Sequence, residues 1–210
     1  MAEVVISHNT WVHRITRVAV RPLVNTPVTP NHLTTLRLVT AVGAACAFAV
    51  DSFEARMIGV AVMVVSLMLD RADGELARQS GKTSQLGHRY DLIADGLSNG
   101  VIFIGIGVGL TNSVLGHWAI VLGLFTGTAA FVSELLLMRL DTLKLQSTAQ
   151  LGGRWGFDPD DAMFLVPVAV AFGFALQLMY AAFVGTMIVA MVFLILLWRR
   201  SGSGVAAEDR

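Results

Sequence analysis

From about residue 31 onward the chain runs in long apolar stretches separated by short polar breaks. Six stretches, 31–50, 57–79, 87–110, 118–138, 161–179 and 181–198, each come near the roughly 20 residues that a helix needs to cross a bilayer. The break between the last two is almost nothing, and Tyr180 is expected to sit in a tight turn there. Residues 9–24 repeat differently. Trp11, Ile15, Val18 and Leu23 favour one side of a helix and His13, Arg14, Arg17 and Arg21 the other, which predicts an amphipathic helix lying in the headgroup layer. Pro22, Pro27 and Pro30 end it and set up a turn. Residues 199–210 are polar and contain Gly and Ser, so a loose tail is expected. Met1 to Thr10 has no basic start followed by an apolar core, so no signal peptide is expected.

The pattern predicts an all-α integral membrane protein: six transmembrane helices preceded by an N-terminal amphipathic interfacial helix. It divides the chain into a juxtamembrane segment 1–30, a transmembrane domain 31–198 and a flexible cytoplasmic tail 199–210. Composition supports this division. Hydrophobic residues make up 55% of the 210 residues and charged residues 14%, against about 25% charged in a soluble domain. The mean hydropathy is +0.67, more apolar surface than a chain of this length can hide from water. The balance of 15 Lys+Arg against 15 Asp+Glu excludes a nucleic-acid binder with a basic surface, and the single Cys46 excludes an intrachain disulfide framework. Six spans put both termini on one side. Of the 15 Lys and Arg residues, only Arg56 then falls on the other side, so both termini are expected to be cytoplasmic.

Charges inside spans are costly and mark function. They gather in one place. The second span ends with Asp70 and Asp73, three apart, and the third begins with Asp91 and Asp95, four apart. On helices each pair shares a face, and the short 80–85 turn makes the two helices antiparallel neighbours. Four carboxylates facing one another need neutralising. Hard oxygen ligands suit Mg²⁺, Mn²⁺ or Ca²⁺, and four are enough for a two-metal site of the kind that acts at phosphorus. Gly74 and Ala77 lack bulk, so a nucleotide or pyrophosphate could approach the helix. Gly87 opens the third span, where free N–H groups could meet an anion. Arg78 can pair with phosphate or hold a carboxylate, and Thr83 and Ser84 offer hydroxyls.

The run Asp70-x2-Asp73-Gly74-x2-Ala77-Arg78-x8-Gly87-x3-Asp91-x3-Asp95 resembles the motif of the CDP-alcohol phosphotransferase family at all eight fixed positions. Pro30-Asn31-x-Leu33-Thr34-x2-Arg37 is similar to the start of that family's first span. The resemblance implies transfer of a substituted phosphate from a CDP-linked donor, CDP-diacylglycerol or a smaller soluble CDP-alcohol, to an alcohol acceptor, with release of CMP. It implies a homodimer of six-helix subunits with the active site open to the cytoplasm of a bacterial or archaeal inner membrane. By the same resemblance, Asp70, Asp73, Asp91 and Asp95 hold two Mg²⁺ or Mn²⁺ ions. Asp91 and Asp95 are catalytic, with Asp95 the base. Gly74, Ala77, Arg78 and Gly87 line the CDP site, with Ser84 beside them.

For a phosphorylated acceptor, Arg37, Arg139, Lys144 and Arg154, with Arg89, are candidates for an anion pocket; the alternative is that they are charges that set topology. The segment Gly156-Phe157-Asp158-Pro159-Asp160-Asp161 departs from the basic residues implied for the family's phosphatidylinositol-phosphate members, and Asp158-Pro159 reads as a plain helix start. Glu134, inside the fourth span, calls for a partner such as Arg37 or Arg139, or a water-filled cavity. Gly96/Gly100, Gly105/Gly109 and Gly123/Gly127 are small-residue pairs suited to close helix packing, in the bundle or at a dimer interface. A competing reading, a divalent-cation transporter, explains the four Asp residues but not the Gly, Ala and Arg at fixed spacing.

Overall fold

The computed structural model describes residues 11–142 and 163–208, with no side-chain description for 11–12, for 137–142 or for much of the chain after 192. Among these residues every regular element is helical: α1 Trp11–Ala19, a 3₁₀ turn Arg21–Leu23, α2 Pro30–Phe48, α3 Phe53–Ser80, α4 Gln85–Gly109, α5 Trp118–Thr142, α6 Leu165–Ala171 and α7 Ala175–Glu208. Local chemistry sets the boundaries. Pro30 occupies the first turn of α2, where its missing N–H costs nothing, and the Thr29 N–H donates to His32 Nδ1 at 3.3 Å. Ser52 caps α3 by accepting from the Ala55 N–H at 3.1 Å. Gly81 ends α3 at φ +65°, a left-handed position that Gly takes at no steric cost. Ser84 then caps α4 by accepting from the Gly87 N–H at 2.9 Å.

Helix α2 packs against both α3 and α4, α4 packs against α5, and α7 lies against α5; α3 and α4, expected to pack on each other as antiparallel neighbours, are joined mainly through α2 instead. Their core holds Phe48, Met63, Ile102, Phe103, Ile106, Val166, Val170 and Met179. The glycine pairs build this bundle. A methyl group on Gly107 would lie 2.6 Å from the Ala119 carbonyl oxygen, and one on Gly127 2.5 Å from that of Gly100. Gly105 and Gly109 sit against the α2 backbone at Ala45 and Phe48. Backbones this close leave no room for a Cβ, so the small residues are spent on internal packing.

Helix α1 turns its polar side inward. His13 and Thr16 are buried while Ile15 and Val18 are more than half exposed, and Arg17 Nε binds Glu75 Oε1 at 3.0 Å.

Among the described residues, three helices are long and apolar enough to cross a membrane: Gln85–Gly109, Trp118–Leu136 and Ala175–Val192. The expected boundary between the last two spans is corrected. Tyr180 lies within α7, and the break comes earlier, at residues 172–174. Gly173 takes φ +82°. Its N–H bonds the Val170 carbonyl at 3.1 Å and the Phe174 N–H bonds the Ala169 carbonyl at 2.8 Å, a Schellman ending that satisfies the last carbonyls of α6. In place of a loose tail from residue 199, α7 continues past Arg199 to Glu208.

Candidate active site

Helices α2, α3 and α4 bring three carboxylates together. Asp70, Asp91 and Asp95 each offer an oxygen, and these atoms lie within 4.8 Å of one another. Among them sits the guanidinium of Arg37, 2% exposed. It pairs with Asp70, with Asp91 at 3.3 Å and with Asp95 at 3.0 Å. Arg37 is held from both ends: its Nη2 donates to the Asp91 carbonyl at 3.3 Å, and its own carbonyl accepts from Ser66 Oγ at 2.9 Å. Arg71 stands 3.9 Å from Asp70.

The fourth carboxylate is set apart. Asp73, 3% exposed, turns toward α2 and accepts from Thr34 Oγ1 at 2.7 Å. The expectation that all four Asp residues converge is therefore met by three, while Asp73 is oriented by Thr34 in the wall of the same cavity. The guanidiniums of Arg37 and Arg71 do not balance three close carboxylates and a buried fourth. The excess negative charge on hard oxygen donors fits a divalent cation such as Mg²⁺ or Mn²⁺.

Two cavities meet here. The larger, ≈ 540 Å³, runs along α3 and α4 and contains all four Asp residues. The smaller, ≈ 290 Å³, is lined by Gly74, Ala77, Arg78, Ser84 and Gly87. The two share Asp73, Gly74, Arg78, His88 and Asp91. Residues read from the sequence as nucleotide contacts thus line one hollow that opens directly onto the carboxylates. Ser84 also has a structural task there, since its hydroxyl caps α4. A methyl on Gly87 would lie 3.0 Å from Ser84 Oγ and 3.2 Å from Asn31 Oδ1, so the cap and the hollow both need glycine. Lys82 closes one wall by donating from Nζ to the carbonyls of Thr26 and Val28 at 2.9 and 3.1 Å.

Arg78 is aimed by a neighbour. Glu75, 4% exposed, accepts from Arg78 Nη2 at 2.8 Å, from Gln79 Nε2 at 3.1 Å and from Arg17 Nε at 3.0 Å. One carboxylate therefore orients Arg78 and fastens α1 over the mouth, where His13 joins the lining.

Among the candidates for an anion pocket, Arg37 is bound into the Asp cluster rather than offered to a distant acceptor. Lys144, Arg154 and the segment 156–161 lie outside the described residues, as does the side chain of Arg139. Glu134 lines the larger cavity. Thr34 was missed as a functional residue. The signal lay in the spacing of Asn31, Thr34 and Arg37, which puts three polar groups on one face of α2.

A family model described as CDP-alcohol phosphatidyltransferase matches residues 27–198. The fold is similar to that of the phosphatidylinositol phosphate synthase of Mycobacterium tuberculosis, solved with CDP-DAG bound. That chain is 20% identical at a TM-score of 0.69, over 88% of this chain and 94% of that one. A second structure of the same enzyme, in complex with manganese and citrate, is 21% identical at a TM-score of 0.69, over 87% and 88% of the two chains. No curated protein matches the sequence.

Proposed function

The chain belongs to the CDP-alcohol phosphatidyltransferase family, and from that premise we propose that it transfers a phosphatidyl group from CDP-diacylglycerol to the hydroxyl of an alcohol, releasing CMP. The observation that carries this reading is the joining of the two cavities. Gly74, Ala77, Arg78 and Gly87 surround a hollow of nucleotide size, and the carboxylates stand at its inner wall.

In this reading the smaller cavity takes the CDP moiety, with Arg78 held by Glu75 against the pyrophosphate. When bound at Asp70, Asp73, Asp91 and Asp95, two divalent ions, Mg²⁺ or Mn²⁺, supply charge neutralisation to the pyrophosphate. Asp95 accepts the proton of the acceptor hydroxyl. The acceptor oxygen forms its bond to the lipid-side phosphorus as the bond from that phosphorus to the CMP oxygen breaks, so transfer is direct and inverts phosphorus. Thr34 keeps one oxygen of Asp73 engaged and so fixes its orientation.

The same proposal carries the membrane arrangement: six spans within 31–198, α1 in the headgroup layer, both termini and the site on the cytoplasmic side of a bacterial or archaeal inner membrane, and a homodimer. The outward Ile15 and Val18 of α1 support the headgroup placement. The test is CMP release by the purified protein in detergent with Mg²⁺ and CDP-diacylglycerol, against a panel of alcohols. CMP formed with one acceptor, and lost on adding a chelator, is the expected result. A trapped phosphorylated enzyme would overturn direct transfer, and activity only with a soluble CDP-alcohol would overturn the donor.

A further inference from the structure

The proposed donor has a fixed covalent order: nucleotide, pyrophosphate, glycerol, acyl chains. The two cavities repeat that order. The smaller one opens onto the carboxylates. Past the carboxylates the larger one continues into the bundle. Along α4 its lining runs from Asp91 and Asp95 to Ser98 and Asn99 and then to Ile102, and along α3 it runs back from Asp70 to Met63. Ser98 and Asn99 follow Asp95 at three and four residues, so they continue its face one turn deeper. Leu67 and Phe164 give the same cavity a half-buried apolar flank, and Leu165 beside Phe164 is exposed.

One side chain at this depth points to a ligand. Ser98 is 7% exposed and lines the cavity, yet among the described residues its Oγ has no hydrogen-bond partner. A helical serine can satisfy itself on the preceding turn, as Ser133 does on the Ala129 carbonyl at 2.8 Å. Ser66, across the cavity on α3, spends its hydroxyl on the Arg37 carbonyl at 2.9 Å. Ser98 does neither, and a buried hydroxyl left without a partner is costly unless a ligand completes it. The lining narrows the chemistry of that ligand. The Ser98 hydroxyl and the Asn99 carboxamide can both donate, while Met63, Leu67, Ile102 and Phe164 around them are apolar. Donors set in an apolar wall suit an acceptor group carried on hydrocarbon. An ester carbonyl is such a group: it accepts, it cannot donate, and it stands between a polar head and its acyl chain.

We propose that Ser98, with Asn99 beside it, donates to an ester carbonyl of the donor's diacylglycerol, and that this contact selects ester-linked over ether-linked CDP-lipid. The inference deepens the transfer reading and rests on it. The nucleotide then lies in the smaller cavity, the pyrophosphate at the carboxylates and the glycerol esters at Ser98. The acyl chains leave past Leu67 and Phe164 toward lipid. An ether linkage keeps the head and the chains but removes the carbonyl, so Ser98 stays unpaired and its burial uncompensated.

The experiment measures displacement of labelled CDP from the full-length protein in detergent with Mg²⁺. The competitors are CDP-diacylglycerol and its dialkyl ether analogue of equal chain length, so no acceptor is needed. The wild type is expected to bind the ester about three- to tenfold more tightly, the range of one neutral hydrogen bond. S98A is expected to lose that preference by weakening the ester alone, with the Kd for CDP and for the ether unchanged, the non-additivity that a direct contact produces. The variant removes a hydroxyl that no described protein group bonds, so its thermal unfolding should match that of the wild type. In turnover the same change appears in the KM for the donor and not in the KM for the acceptor. Equal binding of ester and ether by the wild type, a preference that survives S98A, or a rise in the acceptor KM alone overturns the ester site while leaving CMP-releasing transfer intact. Failure of both lipids to displace bound CDP overturns the donor reading and the ester site together.

Discussion

At the scale of single residues, the site is a problem in charge compensation centred on one arginine. Arg37 is nearly inaccessible and touches three carboxylates from three points of the α3–α4 hairpin. Removing one partner of a buried ionic cluster leaves uncompensated charge and costs about 3–5 kcal/mol. R37Q should therefore lower thermal stability in metal-free detergent solution, and Mn²⁺ should restore more stability to the variant than it adds to the wild type. Equal shifts in both proteins would mean that Arg37 and the cation do not answer the same charge. D95N should reduce kcat for CMP release by about 10²–10⁴-fold, the usual contribution of a general base, with CDP still bound. T34V removes the donor to Asp73, and loss of such an outer hydrogen bond weakens metal affinity by about 10–100-fold, readable by Mn²⁺ titration. Part of this site was legible in the sequence, because Asp70, Asp91 and Asp95 fall on faces that helical spacing aligns and the short turn returns the chain toward the same end of the bundle. What the sequence did not show was how another helix joins the site, although the spacing of Asn31, Thr34 and Arg37 marks a polar face on it. Arg37 and Thr34 lie more than thirty residues from their partners, and spacing along α3 and α4 carries no information about which face of α2 meets them.

At the scale of helices, glycine decides how near the backbones come. Gly100 and Gly127 meet across α4 and α5, and Gly107 and Gly123 repeat the contact along the same pair. G127A should destabilise the protein by about 1–3 kcal/mol, since a Cβ there forces backbone apart in a packed interior. Gly185 on α7 is the contrast. Nothing lies within 4 Å of a Cβ built on it, so G185A should be neutral or stabilising, by up to about 1 kcal/mol of helix propensity. Thermal unfolding in detergent separates the two, and equal effects would mean that packing is not what the first glycine serves. The small-residue pairs were visible in the sequence, but spacing does not say whether a partner helix belongs to the same chain. The α6–α7 turn was hidden for a different reason. Ala171, Phe172, Gly173, Phe174 and Ala175 are an apolar run, so hydropathy does not dip there, and the turn depends only on Gly173 adopting a left-handed backbone. Tyr180 offered a polar atom in the same stretch and drew the expected boundary to the wrong place.

At the scale of the whole molecule, the arrangement makes sense only with a direction across the membrane. Helix α4 has 25 residues, about 37 Å at 1.5 Å per residue, enough to cross the roughly 30 Å hydrocarbon core. Its neighbours present apolar side chains outward: Val39 on α2, Ile58 on α3, and Ile188 and Met191 on α7 are each more than half exposed. The carboxylates lie at the end of the bundle that carries the α3–α4 turn, together with Arg78, Lys82 and the Arg17–Glu75 clasp. The opposite end holds Arg56 and the bond from Asn112 to Asp51. Basic residues collect on the cytoplasmic side, and a charged nucleotide reaches a site only from the water on its own side. Lipid tails, by contrast, can enter laterally. The proposed topology, with the turn facing the cytoplasm, meets both constraints. In a C46A background, T83C in that turn should react with a membrane-impermeant maleimide in inside-out vesicles and not in right-side-out ones. V114C, at the far end and almost fully exposed, should show the reverse. The opposite labelling pattern would turn the nucleotide hollow away from cytoplasmic CDP-linked lipid, and transfer with CMP release would then lack access to its donor.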